Sequence, residues 1–239
     1  MRTKAFTLAE ILITLGIIGV VAAVSIPGLI QHYKKHVLRT SFLKSISTIQ
    51  SAISLSMDEY GIDSLEEMSE EDFNTHFLPV LLSHLKVSHT YTRPNNNKIT
   101  RYTKMNFSNT TPFNTCLSSI REKNYVLLSG MTICFRKGGS IGSYGTLSWV
   151  VGFDVNGESK PNRGGFDVWE LEIKQNAQPY YAKTGMNYCA MAPHKYNDDW
   201  YDTGGGFTHQ SNGRYCAYYA MNNKCPDGSN REYFDCLPK

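Results

Sequence analysis

The chain has 239 residues, 12% of them aromatic and 19% charged, with a formal net charge of +3. That composition excludes a disordered chain, which is poor in aromatics and rich in net charge. The charge is also too small to argue for a nucleic-acid partner, and part of it lies beside an apolar N-terminal segment that gives it another role.

Between residues 11 and 30 every position is apolar or small, with Thr14 and Ser25 the only hydroxyls. Twenty residues at about 1.5 Å each span roughly 30 Å, one hydrocarbon thickness. A lone carboxylate, Glu10, stands at the start of this run. Bilayers penalise buried carboxylates, so an ionisable group there is a functional signal. Arg2 and Lys4 precede the run and place the N-terminus on the cytoplasmic side. Ser25-Ile26-Pro27-Gly28 is a poor small-x-small cleavage site, so the segment does not read as an ordinary secretory signal.

The helix is predicted to continue past the apolar run. Leu38, Phe42, Ile46, Ile49, Ile53, Met57 and Tyr60 recur at helical spacing, and Gly61 is a natural stop. One helix over 6–60, loosened near Pro27, is therefore expected. Its first half is apolar all round and suits lipid or other subunits; its second half is apolar on one side and suits its own globular domain.

A second helix is predicted from the capping residue Ser69, followed by Glu70, Glu71 and Asp72, through Phe73, Phe77 and Leu81 with a bend at Pro79. Residues 90–112 read as a loop or weak strands. Stretches 125–136, 146–155 and 166–173 are β-branched and aromatic and read as strands. Helix followed by antiparallel strands gives an α+β class with the sheet against the helix. Residues 175–239 hold four of the six cysteines and are dense in Tyr, Gly and Asn. They read as surface loops stapled by disulfides, in which most Tyr residues are core or rim and the alternative is Tyr faces presented to a sugar, a protein or single-stranded DNA.

Lys4-Ala5-Phe6-Thr7-Leu8-Ala9-Glu10-Ile11-Leu12 resembles the N-terminal motif of type IV pilins and type II secretion pseudopilins. The resemblance covers residues 2 to about 30, where Gly19 and Pro27 also match, and fades beyond. It implies that a membrane-embedded prepilin peptidase cuts between Ala5 and Phe6 and methylates the new Phe6 amine. Ala5 departs from the family's usual Gly before the cut. Glu10 matches the family's acidic residue, and Phe6 and Glu10 are the implied assembly residues. Pairing the amine of one subunit with the carboxylate of the next neutralises two charges that are costly in lipid. The implied fold is the α+β pilin layout: a leader at 1–5, a transmembrane assembly helix at 6–30, a globular domain at 31–174 and a Cys/Tyr-rich region at 175–239. The implied partners are other pilin or pseudopilin subunits, the peptidase, an inner-membrane assembly platform and the bilayer. The expected location is a single-pass inner-membrane protein with an extracytoplasmic C-terminal domain, or a surface filament. The alternative within this resemblance is a minor pseudopilin or tip adhesin whose C-terminal region binds a ligand.

Two further constellations carry weight. Asp154, Asn156 and Asp167 could supply oxygen ligands to a structural calcium, and major pseudopilins are similar in placing a calcium loop late in their sheet. The closing Glu of an EF-hand is absent, and the preferred reading is a β-hairpin turned at Asn156-Gly157, with no cofactor. Asp198, Asp199 and Asp202 read as a solvated loop. The six cysteines form no CxxC zinc pattern, and with an export signal in front they read as disulfides. Sequence leaves the pairing open; the set carried forward is Cys116–Cys134, Cys189–Cys216 and Cys225–Cys236, the last resembling the C-terminal loop closed in many pilins. No GxSxG, Walker A or HExxH motif is present, so no catalytic role is expected.

Overall fold

The computed structural model describes residues 7–65, 68–92, 115–119, 121–137, 149–157, 159–173, 179–180 and 216–237. The chain divides into two compact units, Met1–Val37 and Leu38–Lys239. Helix α1 runs over Leu8–Tyr60 with Pro27 inside it. It ends as its sequence predicts: Gly61 takes φ +76° and its N–H donates to the Met57 carbonyl at 2.8 Å.

In the first unit every large apolar side chain from Leu8 to Ile30 is exposed. In the second unit the predicted stripe is buried at Phe42, Ile46, Ile49, Ile53 and Met57, with Leu38 packed partly against the same core. Tyr60 closes the stripe edge-on to Phe77, with ring centroids 5.9 Å apart.

After α1 comes a helical segment in three pieces: α2 (Glu70–Asp72), a π-helical turn (Phe73–Phe77) and α3 (Leu78–Leu85). The Ser69 hydroxyl accepts the Asp72 N–H at 2.9 Å, the cap its sequence promises. The irregularity predicted at Pro79 lies one turn earlier. Pro79 sits in the first turn of α3, where a missing N–H costs least, and the wide turn before it absorbs the mismatch. That turn brings Phe73 and Phe77 inward; Phe73 stacks on Trp149 at 3.6 Å.

The sheet is an antiparallel meander in the order β1-β2-β3-β4-β5-β6. Its strands are β1 (Val87–Thr92), β2 (Lys123–Leu127), β3 (Thr132–Lys137), β4 (Trp149–Asp154), β5 (Val168–Ile173) and the two-residue β6 (Pro179–Tyr180). Three features depart from the sequence reading. The stretch 125–136 is two strands, because Gly130 takes φ +86° and lets Leu127 and Met131 close a tight turn. β1 begins at Val87, directly after Lys86 adopts a left-handed conformation (φ 53°) that stops α3. Its sequence is too polar and short to announce a strand, and the ladder with β2 supplies what propensity does not.

The third departure is at the C-terminal end. A short helix, α4 (Cys216–Met221), and a 3-10 turn (Tyr233–Asp235) place Cys216, Ala217, Ala220, Tyr233, Phe234 and Leu237 in the main core. Residues 216–237 are therefore stapled as expected but are not peripheral loops. Phe42 meets Trp169 at 4.3 Å and Phe234 at 6.3 Å, so α1, the sheet and the C-terminal turn share one aromatic contact.

Alternation splits the sheet into two faces. Tyr125, Ile133, Phe135, Trp149, Val151, Phe153, Trp169 and Leu171 enter the main core. On the other face one row runs Asn124, Cys134, Gly152, Glu170 across four strands. The Cys116–Cys134 disulfide lies over Gly152: a β-carbon there would stand 2.6 Å from one sulfur and 2.8 Å from the other. Cys225–Cys236 is the second bridge found as anticipated. Cys216 is also disulfide-bonded, while Cys189, its assigned partner, lies outside the described residues.

Candidate functional site

The N-terminal half of α1 is the first candidate. From Leu8 to Ile30 it measures roughly 35 Å, enough to cross a bilayer, and none of its most apolar stretch is buried. Ala5 and Phe6, the expected processing residues, lie outside the described residues. Glu10 is placed at the start of the helix and has a role that the residue spacing could have revealed. Thr7 N–H and Thr7 hydroxyl both donate to Glu10 Oε2, at 2.8 and 2.9 Å, and Glu10 N–H donates back to the Thr7 hydroxyl at 3.2 Å. Thr7-Leu8-Ala9-Glu10 is a capping box, written in the sequence as Thr-x-x-Glu. It satisfies helix N–H groups that have no intrahelical partner.

The second candidate is the connection between β4 and β5. The structure brings Asp154, Asn156 and Asp167 together there. Asn156 N–H donates to Asp154 Oδ1 at 3.2 Å, closing an Asx turn, and Gly157 follows with φ +65°. The Asp167 carboxylate accepts the N–H of Asn162 at 2.8 Å and of Arg163 at 2.6 Å, one on each oxygen, and a hydrogen bond from the Asn156 side chain. Burial pushes the Asp167 carboxyl up to about 6 against those hydrogen bonds.

Arg163 is buried beside it, its guanidinium carbon 4.0 Å from the Phe166 ring centroid. Burial pushes Arg163 down to about 9, while Tyr233 and Asp167 act the other way. The Tyr233 hydroxyl, buried and raised for that reason, donates to the Gly165 carbonyl at 2.7 Å. This ties the loop to the turn that Cys236 ends.

This donor set fits a hydrogen-bonded loop closure. A calcium cage needs six to eight oxygens turned on one point, whereas the Asp167 oxygens face amides and a guanidinium supplies the nearby positive charge. Among the described residues no group of three His, Cys, Asp or Glu side chains converges as a metal site. The aspartates at 198, 199 and 202 lie outside the described residues. Arg163 and the disulfide seat at Gly152 were not legible in sequence. An arginine in a Gly/Asn-rich loop reads as solvated, and a strand glycine reads only as a weak spot.

Comparison of the chain with protein-family models, with curated proteins and with solved structures finds no match.

Proposed function

We propose that this chain is a pilin-like structural subunit, inserted as a membrane-anchored precursor, cut between Ala5 and Phe6 and polymerised through its N-terminal helix. The observation that carries the reading is the division of labour along α1. Leu8 to Ile30 offers exposed apolar side chains that the described residues leave uncovered, whereas Phe42 to Met57 is buried in the core of its own domain. A helix with an unclaimed apolar half is stable only where lipid or other copies cover it. Gly16 and Gly19 support the same reading. A β-carbon at either would meet nothing within 4 Å among the described residues, so no contact there requires these helix-weakening residues. In lipid, small residues let neighbouring helices approach closely.

In this reading the protein catalyses nothing: the peptidase acts on it, and an inner-membrane platform assembles it. The domain that follows the membrane helix is extracytoplasmic, which suits the oxidised Cys116–Cys134 and Cys225–Cys236 pairs. The test is the mass of the mature N-terminus in cells that contain the peptidase. A chain beginning at N-methylated Phe6 is expected. Recovery of the intact sequence from Met1 would overturn the processing step.

A further inference from the structure

A groove of about 520 Å³ opens on the Leu38–Lys239 unit, between one face of α1, the end of α3 and the β2–β3 turn. Its charged lining is basic: Lys44 from α1 and His84 and Lys86 from the end of α3. No carboxylate among the described residues lines it. His84 is engaged at the edge, 2.9 Å from the Glu59 carboxylate, which leaves the two exposed lysines as its cationic groups. The Ser45 hydroxyl, on a residue only 6% exposed, adds a polar group to the lining. Ser41 and Ser129 add further hydroxyls at the wall.

The same unit carries the complementary feature. Glu70, Glu71 and Asp72 are exposed in the first turn of α2. The half-buried Glu122 stands close enough to Glu70 for that charge to help hold its carboxyl above the usual range, after burial and against Arg136. Of the cations beside this patch, Lys137 donates to the Met68 carbonyl at 2.9 Å and Arg136 pairs with Glu170. Acidic turn and basic groove stand at opposite ends of one helical segment, Glu70 to Leu85, roughly 20 Å apart by helix rise. They cannot meet within one molecule. Between molecules they fit head to tail, and a head-to-tail contact that does not close extends into a filament.

We propose that this groove is the docking site for the Glu70–Asp72 turn of a second copy of the chain, held by Lys44, Lys86 and the Ser45 hydroxyl. The proposal deepens the assembly reading by giving the globular domains a contact of their own, but its test needs neither cleavage nor a filament.

Full-length protein, half of it ¹⁵N-labelled, is mixed in detergent micelles and treated with a zero-length carbodiimide. Mixed-isotope peptides joining Lys44 or Lys86 to residues 70–72 are expected. Two charge-reversed proteins complete the test, Lys44→Glu/Lys86→Glu and Glu70→Lys/Glu71→Lys/Asp72→Lys. Each alone should lose at least tenfold of its self-association, since like charges then face each other, and an equimolar mixture should recover it as an alternating array. Recovery also requires that both variants fold.

Failure of the mixture to recover, or cross-links confined to single-isotope peptides, overturns the proposal. Protection of the lysines by inorganic phosphate without any mixed-isotope cross-link overturns it too, leaving a simple anion site. Cross-links with an intact Met1 N-terminus uphold the groove and remove the processing reading. A processed N-terminus without these cross-links does the reverse.

Discussion

Gly152 shows how one residue decides what a sheet face can carry. The Cys116–Cys134 bridge lies where a β-carbon would stand, 2.6 Å and 2.8 Å from its two sulfurs. Gly152→Ala should push the bridge off the strand and cost about 1–3 kcal/mol, the range for overpacking a core. Thermal unfolding would register this as several degrees of Tm. An unchanged Tm would mean that the bridge does not rest on this strand.

Asp167 gives a second prediction, in pH. Its folded value of about 6 lies above its ordinary 3.8, so the folded protein holds that proton more tightly. The associated stability is fully present below pH 3.8 and is lost as pH rises through 6. Two pH units correspond to about 3 kcal/mol. Denaturant unfolding of wild type and Asp167→Asn at pH 7.5 and 4.5 reads it. The wild type should gain on the variant at the lower pH, and a gap independent of pH would refute the shift. Neither residue was readable for this in the sequence: Gly152 meets a bridge from far along the chain, and Asp167 is shifted chiefly by its burial, which no local pattern records. Gly152 is constrained by Cys116, and Asp167 is buried by a loop that Tyr233 pins down.

At the scale of the element, α1 was the most legible part. Its stripe, its stop at Gly61 and its change from all-round to one-sided apolarity follow from helical spacing, and the structure buries the stripe from Phe42 to Met57, leaving Leu38 half-buried and Tyr60 exposed at its ends. Glu10 is the place where element and function meet. In the single chain it caps the helix through Thr7; in the proposed filament it neutralises a neighbour's Phe6 amine. Glu10→Ala removes both roles, whereas Glu10→Gln keeps an oxygen for the cap and removes the charge. Both variants should insert in the membrane, and both should lose filament assembly, scored on sheared filaments or cross-linked ladders. If Glu10→Gln assembled like wild type while Glu10→Ala did not, capping rather than charge would be the requirement. The strands were less legible. The break at Gly130 and the existence of β1 depend on ladder pairing, which periodicity along one segment does not encode.

At the scale of the whole molecule, sequence and tertiary structure divide by the range of the forces involved. By itself the sequence determined what is local: an apolar helix of membrane length, an acidic residue at its head, a one-sided stripe, an α+β order of elements, and cysteines suited to bridges. Each is set by residues within a few positions of one another, through helix geometry or transfer from water. Only the tertiary structure decided that residues 216–237 belong to the core, that an Asx turn and a buried arginine shape the β4–β5 loop, and that Lys44 and Lys86 share a groove. The first and last of those arrangements join residues separated by tens to hundreds of positions, and the β4–β5 loop is tied down by Tyr233, 68 positions from Gly165. The free energy that fixes them comes from burial and from satisfying polar groups after the chain has closed, and no local pattern records it.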